Sequence, residues 1–276
     1  MRKSLITTAV LGALAAPSFV FAAGAAPASD LTVSYNVGLF SQYIFRGLTQ
    51  TNRQPALQGG VDLTHSSGFY LGAWGSNISW LKDKIGTGDN TVYTSGGSLE
   101  IDLYGGYRHT FDKVGSGLGI DIGALQYWYP GKLSHRSDQS GANTTEVYGA
   151  LNYSYFQAKL STVVSSNAWG FGNKYNAGLG DERGTYYAEL NANIPIADSG
   201  FTAIAHVGRQ EFDTAPASYT DWKLGLSKGF DNGLSLGAYY TDTNIKNGST
   251  NATTNWTYAG KNIGESTGTV YVQKTF

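Results

Sequence analysis

The feature that most constrains this chain is a period-two alternation of apolar and polar residues that recurs along most of its length. In one central segment, Leu99, Ile101 and Leu103 occupy one parity. Glu100 and Asp102 occupy the other. Successive side chains of a β-strand point to opposite faces, so this pattern predicts strands with one apolar and one polar face. Helical periodicity is nearly absent, which indicates an all-β fold.

Twelve segments show the alternation, and most of them exceed the roughly five or six residues of an average globular strand. We predict strands at residues 31–46, 55–65, 69–79, 98–111, 117–129, 145–153, 156–165, 184–194, 201–209, 219–230, 234–242 and 267–276. The connections alternate between short turns rich in Asp, Asn and Gly and long loops at 47–54, 80–97, 130–144, 166–183, 210–218 and 243–266. This layout is typical of a single 12-stranded antiparallel transmembrane β-barrel of the porin type.

Alternation alone does not say which face points inward, because a soluble sandwich or barrel buries the apolar face and a membrane barrel exposes it. Two further features favour a membrane barrel. Ionisable residues of the apolar parity lie near strand ends, where long side chains can reach water: His109, Arg209, Lys228, Asp242 and Lys274. Aromatic residues of the same parity lie next to the short turns, as in an interfacial membrane girdle: Phe69, Phe111, Tyr153, Phe156, Phe201, Phe230 and Phe276.

Both ends of the chain fit export to a bacterial envelope. Arg2 and Lys3 precede an apolar stretch of about a dozen residues, which is followed by small residues at the expected cleavage site. This is the pattern of a secretory signal peptide, which we place at residues 1–22. We predict that residues 23–276 form one barrel domain. A terminal strand that ends on Phe276 resembles the C-terminal signal recognised by the outer-membrane barrel assembly machinery, although Lys274 replaces the apolar residue usual in that signal.

The lumen of the predicted barrel is lined by the polar parity. No strand edge can stay unpaired in lipid, so the last strand is expected to pair with the first. Twelve strands predict a narrow pore that inward-folded loops could close. The charged pore-lining residues are then Arg46, Asp62, Glu100, Asp102, Arg108, Asp121, Glu146, Lys159, Glu189, His206, Asp221 and Lys223. Carboxylates outnumber lysines and arginines in this set, which predicts that the pore weakly prefers cations. The alternative is that the lumen charges only neutralise one another, as we expect of Arg108 and Asp121.

Motifs in the first third of the chain resemble the opening of the TorF-family porins of proteobacteria. They are Ser34-Tyr35-Asn36-Val37-Gly38, Ser41-Gln42-Tyr43-Ile44-Phe45-Arg46-Gly47, Gln58-Gly59-Gly60 and Gly68-Phe69-Tyr70-Leu71-Gly72-Ala73-Trp74-Gly75-Ser76-Asn77. The resemblance implies an outer-membrane location and a diffusion channel, and it transfers no catalytic or ligand-binding residue. We expect Arg46 at the outer mouth beside Gln58, either as a pore residue or as the partner of a loop carboxylate.

The sequence therefore predicts a passive channel for small hydrophilic solutes in the outer membrane of a Gram-negative bacterium, with no cofactor and no metal. Expected partners are outer-membrane lipid and lipopolysaccharide, the barrel assembly machinery through Phe276, and the solutes, and we expect a monomer. Nucleic acid is not an expected partner, because only 14% of the residues are charged.

Two alternatives stay open. One is an outer-membrane enzyme of the lipase or protease type, with His206 and Asp221 in the lumen as an acid–base pair. Its other candidate residues are Asp181, Glu182 and Asp213 at the rim. Against this enzyme, no serine stands in a recognisable catalytic motif. The second alternative is a structural or surface-interaction barrel with a closed lumen, which would use the loops at 166–183 and 243–266.

Overall fold

Twelve antiparallel strands form one closed barrel in the computed structural model, which describes residues 30–83, 93–111, 117–133, 141–171, 180–246 and 256–276. The predicted signal peptide lies outside these residues. The strands are β1 (Leu31–Phe40), β2 (Ala56–His65), β3 (Phe69–Asn77), β4 (Leu99–Phe111), β5 (Leu118–Trp128), β6 (Thr144–Tyr153), β7 (Phe156–Val163), β8 (Tyr186–Ile196), β9 (Phe201–Glu211), β10 (Tyr219–Gly229), β11 (Leu234–Thr243) and β12 (Thr267–Thr275). The predicted fold class is confirmed.

The remaining regular structure lies in the connections. Three short antiparallel pairings join Ile44–Phe45 with Leu48–Thr49, Tyr93–Gly96 with Gly131–Leu133, and Thr257–Tyr258 with Lys261–Asn262. A one-turn helix, α1, covers Trp80–Asp83, and a 3-10 turn covers Ala197–Ser199. No helix within the described ranges is long and apolar enough to cross a bilayer.

Each strand pairs with its neighbour in the sequence, and β12 closes the barrel against β1, as predicted. In this closing ladder residues 36–40 of β1 face residues 271–275 of β12. The first strand is shorter than predicted, since β1 ends at Phe40 and not at residue 46. Beyond Phe40 the chain leaves the barrel wall and folds into the lumen as loop 1 (residues 41–55), so the alternation that continues through Ile44 and Phe45 belongs to a small hairpin.

The outer face of the barrel is a continuous apolar belt. Every strand exposes at least one large aliphatic side chain: Leu39, Leu57, Leu71, Leu103, Ile122, Leu151, Leu160, Leu190, Val207, Leu224, Leu236 and Val270 in order from β1 to β12. A soluble protein rarely exposes a contiguous apolar surface of this extent. The apolar parity therefore faces lipid, and the barrel is of the transmembrane type.

The end of the barrel that carries the short connections, here called the turn end, holds all seven aromatic residues predicted to form the girdle. Six of them are exposed, and Phe111 is half-buried. Two lysines of the lipid-facing parity reach polar backbone at this end: Lys228 Nζ donates to the Ser199 carbonyl, and Lys274 Nζ donates to the Asn232 carbonyl. Their long side chains thus place both charges at the membrane edge.

The opposite end, here called the loop end, is packed with aromatic side chains from several loops. Tyr43 and Leu48 of loop 1, Trp80, Trp169 and Trp256 belong to one buried cluster inside the barrel mouth. The interior is therefore mostly apolar at the loop end, whereas mostly polar side chains line the lumen below it.

Candidate functional site

The lumen is the candidate functional site, and all twelve predicted lining residues face it. Eleven lie on barrel strands, and Arg46 lies on loop 1. Arg108, Asp121, Lys159 and Glu189 are partly accessible, and the other eight are buried. The expected ion pair between Arg108 and Asp121 is present, with Nη2 and Oδ2 3.2 Å apart.

The tip of loop 1 is a two-residue hairpin turn formed by Arg46 and Gly47. Both residues have positive φ, 47° and 78°, as the favoured hairpin turns require at their two central positions. A Cβ on Gly47 would lie 2.5 Å from the Cβ of Asp221, so glycine lets the loop backbone approach β10 closely. Local turn chemistry therefore brings loop 1 to the barrel wall.

Arg46 fastens this tip to the opposite side of the lumen. Its Nη1 and Nη2 donate to the two carboxylate oxygens of Glu146 on β6, at 2.9 and 2.8 Å, and Nη1 also donates to Gln210 Oε1 on β9 at 2.8 Å. The guanidinium carbon lies 4.3 Å from the centroid of the Tyr187 ring. The expectation that Arg46 lies beside Gln58 is corrected, because β1 ends early and the loop carries Arg46 to β6.

Burial of Arg46 opposes its charge, but the carboxylate of Glu146 more than offsets this effect and raises the pKa of Arg46. Burial also raises the pKa of Tyr43, and the carboxylates of Glu100 and Asp102 raise it further. The phenol therefore stays a hydrogen-bond donor, and it donates to Glu100 Oε1 at 2.6 Å. Loop 1 thus makes two charge-assisted contacts with the lumen wall.

Tyrosine hydroxyls satisfy most of the lumen carboxylates. The donor–acceptor pairs are Tyr43 with Glu100 (2.6 Å), Tyr70 with Asp121 (2.6 Å), Tyr104 with Asp62 (2.5 Å), Tyr127 with Glu146 (3.0 Å) and Tyr187 with Asp221 (2.9 Å). A phenol donates to a carboxylate without adding a charge, so the lumen keeps its negative surplus. The sequence prediction missed these tyrosines because it considered only ionised side chains. Strand parity could have indicated such a tyrosine, since Tyr104 follows the lumen residue Asp102 by two residues.

The negative surplus is concentrated in the loop-end half of the lumen. Glu100, Asp102 and Glu146 all lie there, and the guanidinium of Arg46 is committed to Glu146. Asp102 Oδ1 is buried and accepts no hydrogen bond. Acidic side chains therefore outnumber basic ones in this half of the lumen.

The groups considered for catalysis have structural roles. His206 Nε2 lies 3.0 Å from Asp221 Oδ1 and 2.9 Å from the Tyr187 hydroxyl, and Nδ1 lies 2.7 Å from Asn191 Oδ1. Both ring nitrogens are thus engaged by other lumen residues, and no serine takes part.

The rim acids likewise do not form a catalytic pair. The buried carboxylate of Glu182 accepts hydrogen bonds from Thr185 Oγ1 and Thr214 Oγ1 and from the backbone N–H of Asp213. Asp181 instead pairs with Arg183 on the surface. In the part of the chain that the structure describes, no three His, Cys, Asp or Glu side chains are placed to hold a metal ion.

The sequence matches one protein family over almost its whole length. Residues 24–276 match the family described as "Bacterial protein of unknown function (Gcw_chp)". The chain belongs to this family. No curated protein matches the sequence. The Gcw_chp description does not mention TorF porins, so that resemblance stays an interpretation.

Solved porin structures are similar to this Gcw_chp protein at low sequence identity. The KdgM porin has a TM-score of 0.46 and 11% identity, with 88% of this chain and 98% of that chain covered. The NanC porin has a TM-score of 0.47 and 10% identity, with 89% and 99% covered. Pseudomonas aeruginosa OprD has a TM-score of 0.37 and 13% identity, with 91% and 68% covered. Identities this low transfer no ligand or activity.

Proposed function

We propose that this protein is an outer-membrane channel through which small hydrophilic solutes diffuse passively. The observation that carries the proposal is a closed 12-stranded barrel with an apolar outer belt and a charged, tyrosine-rich lumen. Eight strands enclose a space that side chains alone can fill, whereas twelve enclose a wider one. The turn-end aromatic residues and the C-terminal Phe276 support the outer membrane of a Gram-negative bacterium as its location.

Loop 1 determines the aperture of the proposed channel. It lies inside the barrel, and its contacts to Glu146, Gln210 and Glu100 fix it against the wall. Solutes would pass between this loop and the remaining lumen wall, which carries more carboxyl groups than basic side chains. The channel would therefore prefer cations and neutral solutes to anions.

The proposed partners follow from the surfaces of the barrel. The apolar belt would contact outer-membrane lipid and lipopolysaccharide, and Phe276 would be recognised by the barrel assembly machinery. We propose a monomer that needs no cofactor. The engaged ring nitrogens of His206 and the structural role of Glu182 disfavour the enzyme alternative.

Single-channel recording in a planar bilayer tests this function directly. The refolded protein should give discrete conductance steps, and under a KCl gradient its reversal potential should show cation preference. Glu189→Gln should move the reversal potential towards zero, because it removes a partly accessible lumen carboxylate. Glu265→Gln, which removes the same charge from an exposed loop position, should leave it unchanged. A folded barrel that gives no steps would refute the channel.

A further inference from the structure

The four partly accessible charged residues of the lumen lie on one line across neighbouring strands. The register places Arg108 of β4 opposite Asp121 of β5, and Lys159 of β7 opposite Glu189 of β8. Ala150 of β6 lies between the two pairs. Neighbouring strands are about 4.8 Å apart. Each pair therefore places opposite charges side by side on the lumen wall.

Only the first of these two pairs forms an ion pair. Arg108 Nη2 lies 3.2 Å from Asp121 Oδ2. The ammonium of Lys159 lies instead over the ring of Tyr148, 4.4 Å from its centroid. Among the residues that the structure describes, Lys159 Nζ finds neither a hydrogen-bond acceptor nor an ion-pair partner. Lys159 thus has a free charge next to a carboxylate.

Glu189 is held through one of its two carboxylate oxygens. Its Oε2 accepts from Asn191 Nδ2 at 2.9 Å and lies 3.6 Å from His206 Nδ1. Its Oε1 accepts no hydrogen bond from any described residue. Neither this oxygen nor Lys159 Nζ is among the fully buried atoms without a partner. An ammonium and a carboxylate oxygen are therefore both open to the lumen on adjacent strands.

The other charged groups on this side of the lumen, on β9 and β10, are less available to a solute. Asp221 is 1% exposed, and its oxygens contact His206 Nε2 at 3.0 Å and the Tyr187 hydroxyl at 2.9 Å. Lys223 is 4% exposed, and its Nζ lies 5.2 Å from the centroid of the Tyr239 ring. Lys159 and Glu189 are the accessible charged residues of this wall that keep unused hydrogen-bonding capacity.

We propose that Lys159 and Glu189 form a binding site for a zwitterionic solute of the α-amino acid class. The solute carboxylate accepts from Lys159 Nζ, and the solute ammonium donates to Glu189 Oε1. Both charges of the solute then exchange water for a charged partner. A simple anion would lie next to Glu189, and a simple cation next to Lys159, so each would meet a like charge. This inference rests on the proposed channel function and names the solutes that the channel would favour.

Equilibrium dialysis of the folded barrel in detergent against radiolabelled alanine, acetate and ethylamine tests the site. Alanine should bind saturably and more tightly than either singly charged analogue. Lys159→Met and Glu189→Gln should each weaken alanine binding about tenfold, the size expected for one charge-assisted hydrogen bond. Lys228→Met removes a lysine of the lipid-facing parity at the turn end and should have no effect.

The two analogues separate a binding role from a structural one. Lys159→Met should lose affinity for acetate and keep its affinity for ethylamine, whereas Glu189→Gln should do the reverse. A variant that only distorted the barrel would bind all three solutes less well. In addition, Lys159→Glu and Glu189→Lys should each abolish alanine binding, and the double variant should restore it because both charges are again present.

The measurements on the unmodified barrel do not depend on how the variants fold. The proposal is overturned if alanine does not bind saturably, if acetate or ethylamine binds as tightly as alanine, or if the variants bind alanine as the unmodified barrel does. Dialysis does not require transport. A barrel that conducts ions but binds no alanine would therefore refute the zwitterion site alone, and a barrel that binds alanine without conducting would refute the channel alone.

Discussion

At the scale of single residues, Arg46 has the largest structural consequence. It joins loop 1 to β6 and β9 through one guanidinium whose planar geometry matches the carboxylate of Glu146. Its partners lie 100 and 164 residues away in the sequence. No local pattern could identify them, which is why the sequence indicated the importance of Arg46 but placed it wrongly.

Replacing Arg46 by alanine should release loop 1 from the lumen wall. Glu146 is 1% exposed, and removal of the charged partner of a buried carboxylate costs up to about 3–5 kcal/mol. We expect undocking of the loop, with larger and noisier conductance steps and stronger cation preference in bilayer recordings. Arg53→Ala removes an exposed ion pair of the same loop and should change neither quantity. Unchanged conductance in Arg46→Ala would contradict the role of loop 1 as the constriction.

At the scale of strands, glycine and tyrosine face each other across neighbouring ladders inside the barrel. Gly72 is opposite Tyr104, and Gly237 is opposite Tyr271. In both pairs a Cβ on the glycine would lie within 2.3 Å of a ring atom. The tyrosine ring therefore lies flat over its glycine neighbour, and this position directs the hydroxyl of Tyr104 to Asp62.

Gly72→Ala should consequently destabilise the barrel. The added methyl would force the Tyr104 ring away from Asp62, and overpacking of this kind costs about 1–3 kcal/mol. Denaturant unfolding in detergent, followed by loss of heat-modifiable mobility on gels, measures the change. Gly149→Ala is the matched control, because nothing lies within 4 Å of its added methyl. Equal stability of the two variants would show that the tyrosine position is not constrained.

The strands themselves could be predicted because period-two patterning depends only on local sequence, and all twelve were found. The one large boundary error lies after Phe40, where Ile44 and Phe45 prolong the alternation although the chain has left the wall. The loops could not be predicted, because long-range contacts such as that of Trp256 Nε1 with the Ala217 carbonyl fix their conformations. The lumen charges followed from parity, but their tyrosine partners required the three-dimensional register.

At the scale of the whole molecule, exposed aromatic residues at the turn end have two separable roles, contact with the membrane edge and recognition during assembly. Phe276 is 68% exposed, and its backbone N–H donates to the Tyr35 carbonyl, so its ring contributes little to the folded barrel. Phe69 is comparably exposed at the same end, with 61% of its surface accessible. The two residues therefore allow a direct comparison.

Phe276→Ala should reduce the fraction of protein assembled in the outer membrane several-fold and change the free energy of unfolding in detergent by no more than about 0.5 kcal/mol. Phe69→Ala should affect assembly much less. Quantitative blotting of heat-modifiable barrel in membrane fractions provides the measurement. If both variants assemble equally well, recognition through the C-terminal residue is excluded.

The closing ladder between β1 and β12 makes the barrel mechanically unequal around its circumference. All ten residues of β1 pair with β2, but only residues 36–40 pair with β12 in regular register. The pairing of β1 with β12 is therefore about half as extensive as its pairing with β2. A tearing force or thermal opening would concentrate between β1 and β12. The barrel thus resembles a sheet rolled into a cylinder with a single seam, and separation at that seam would return it to an open meander whose hairpins stay intact.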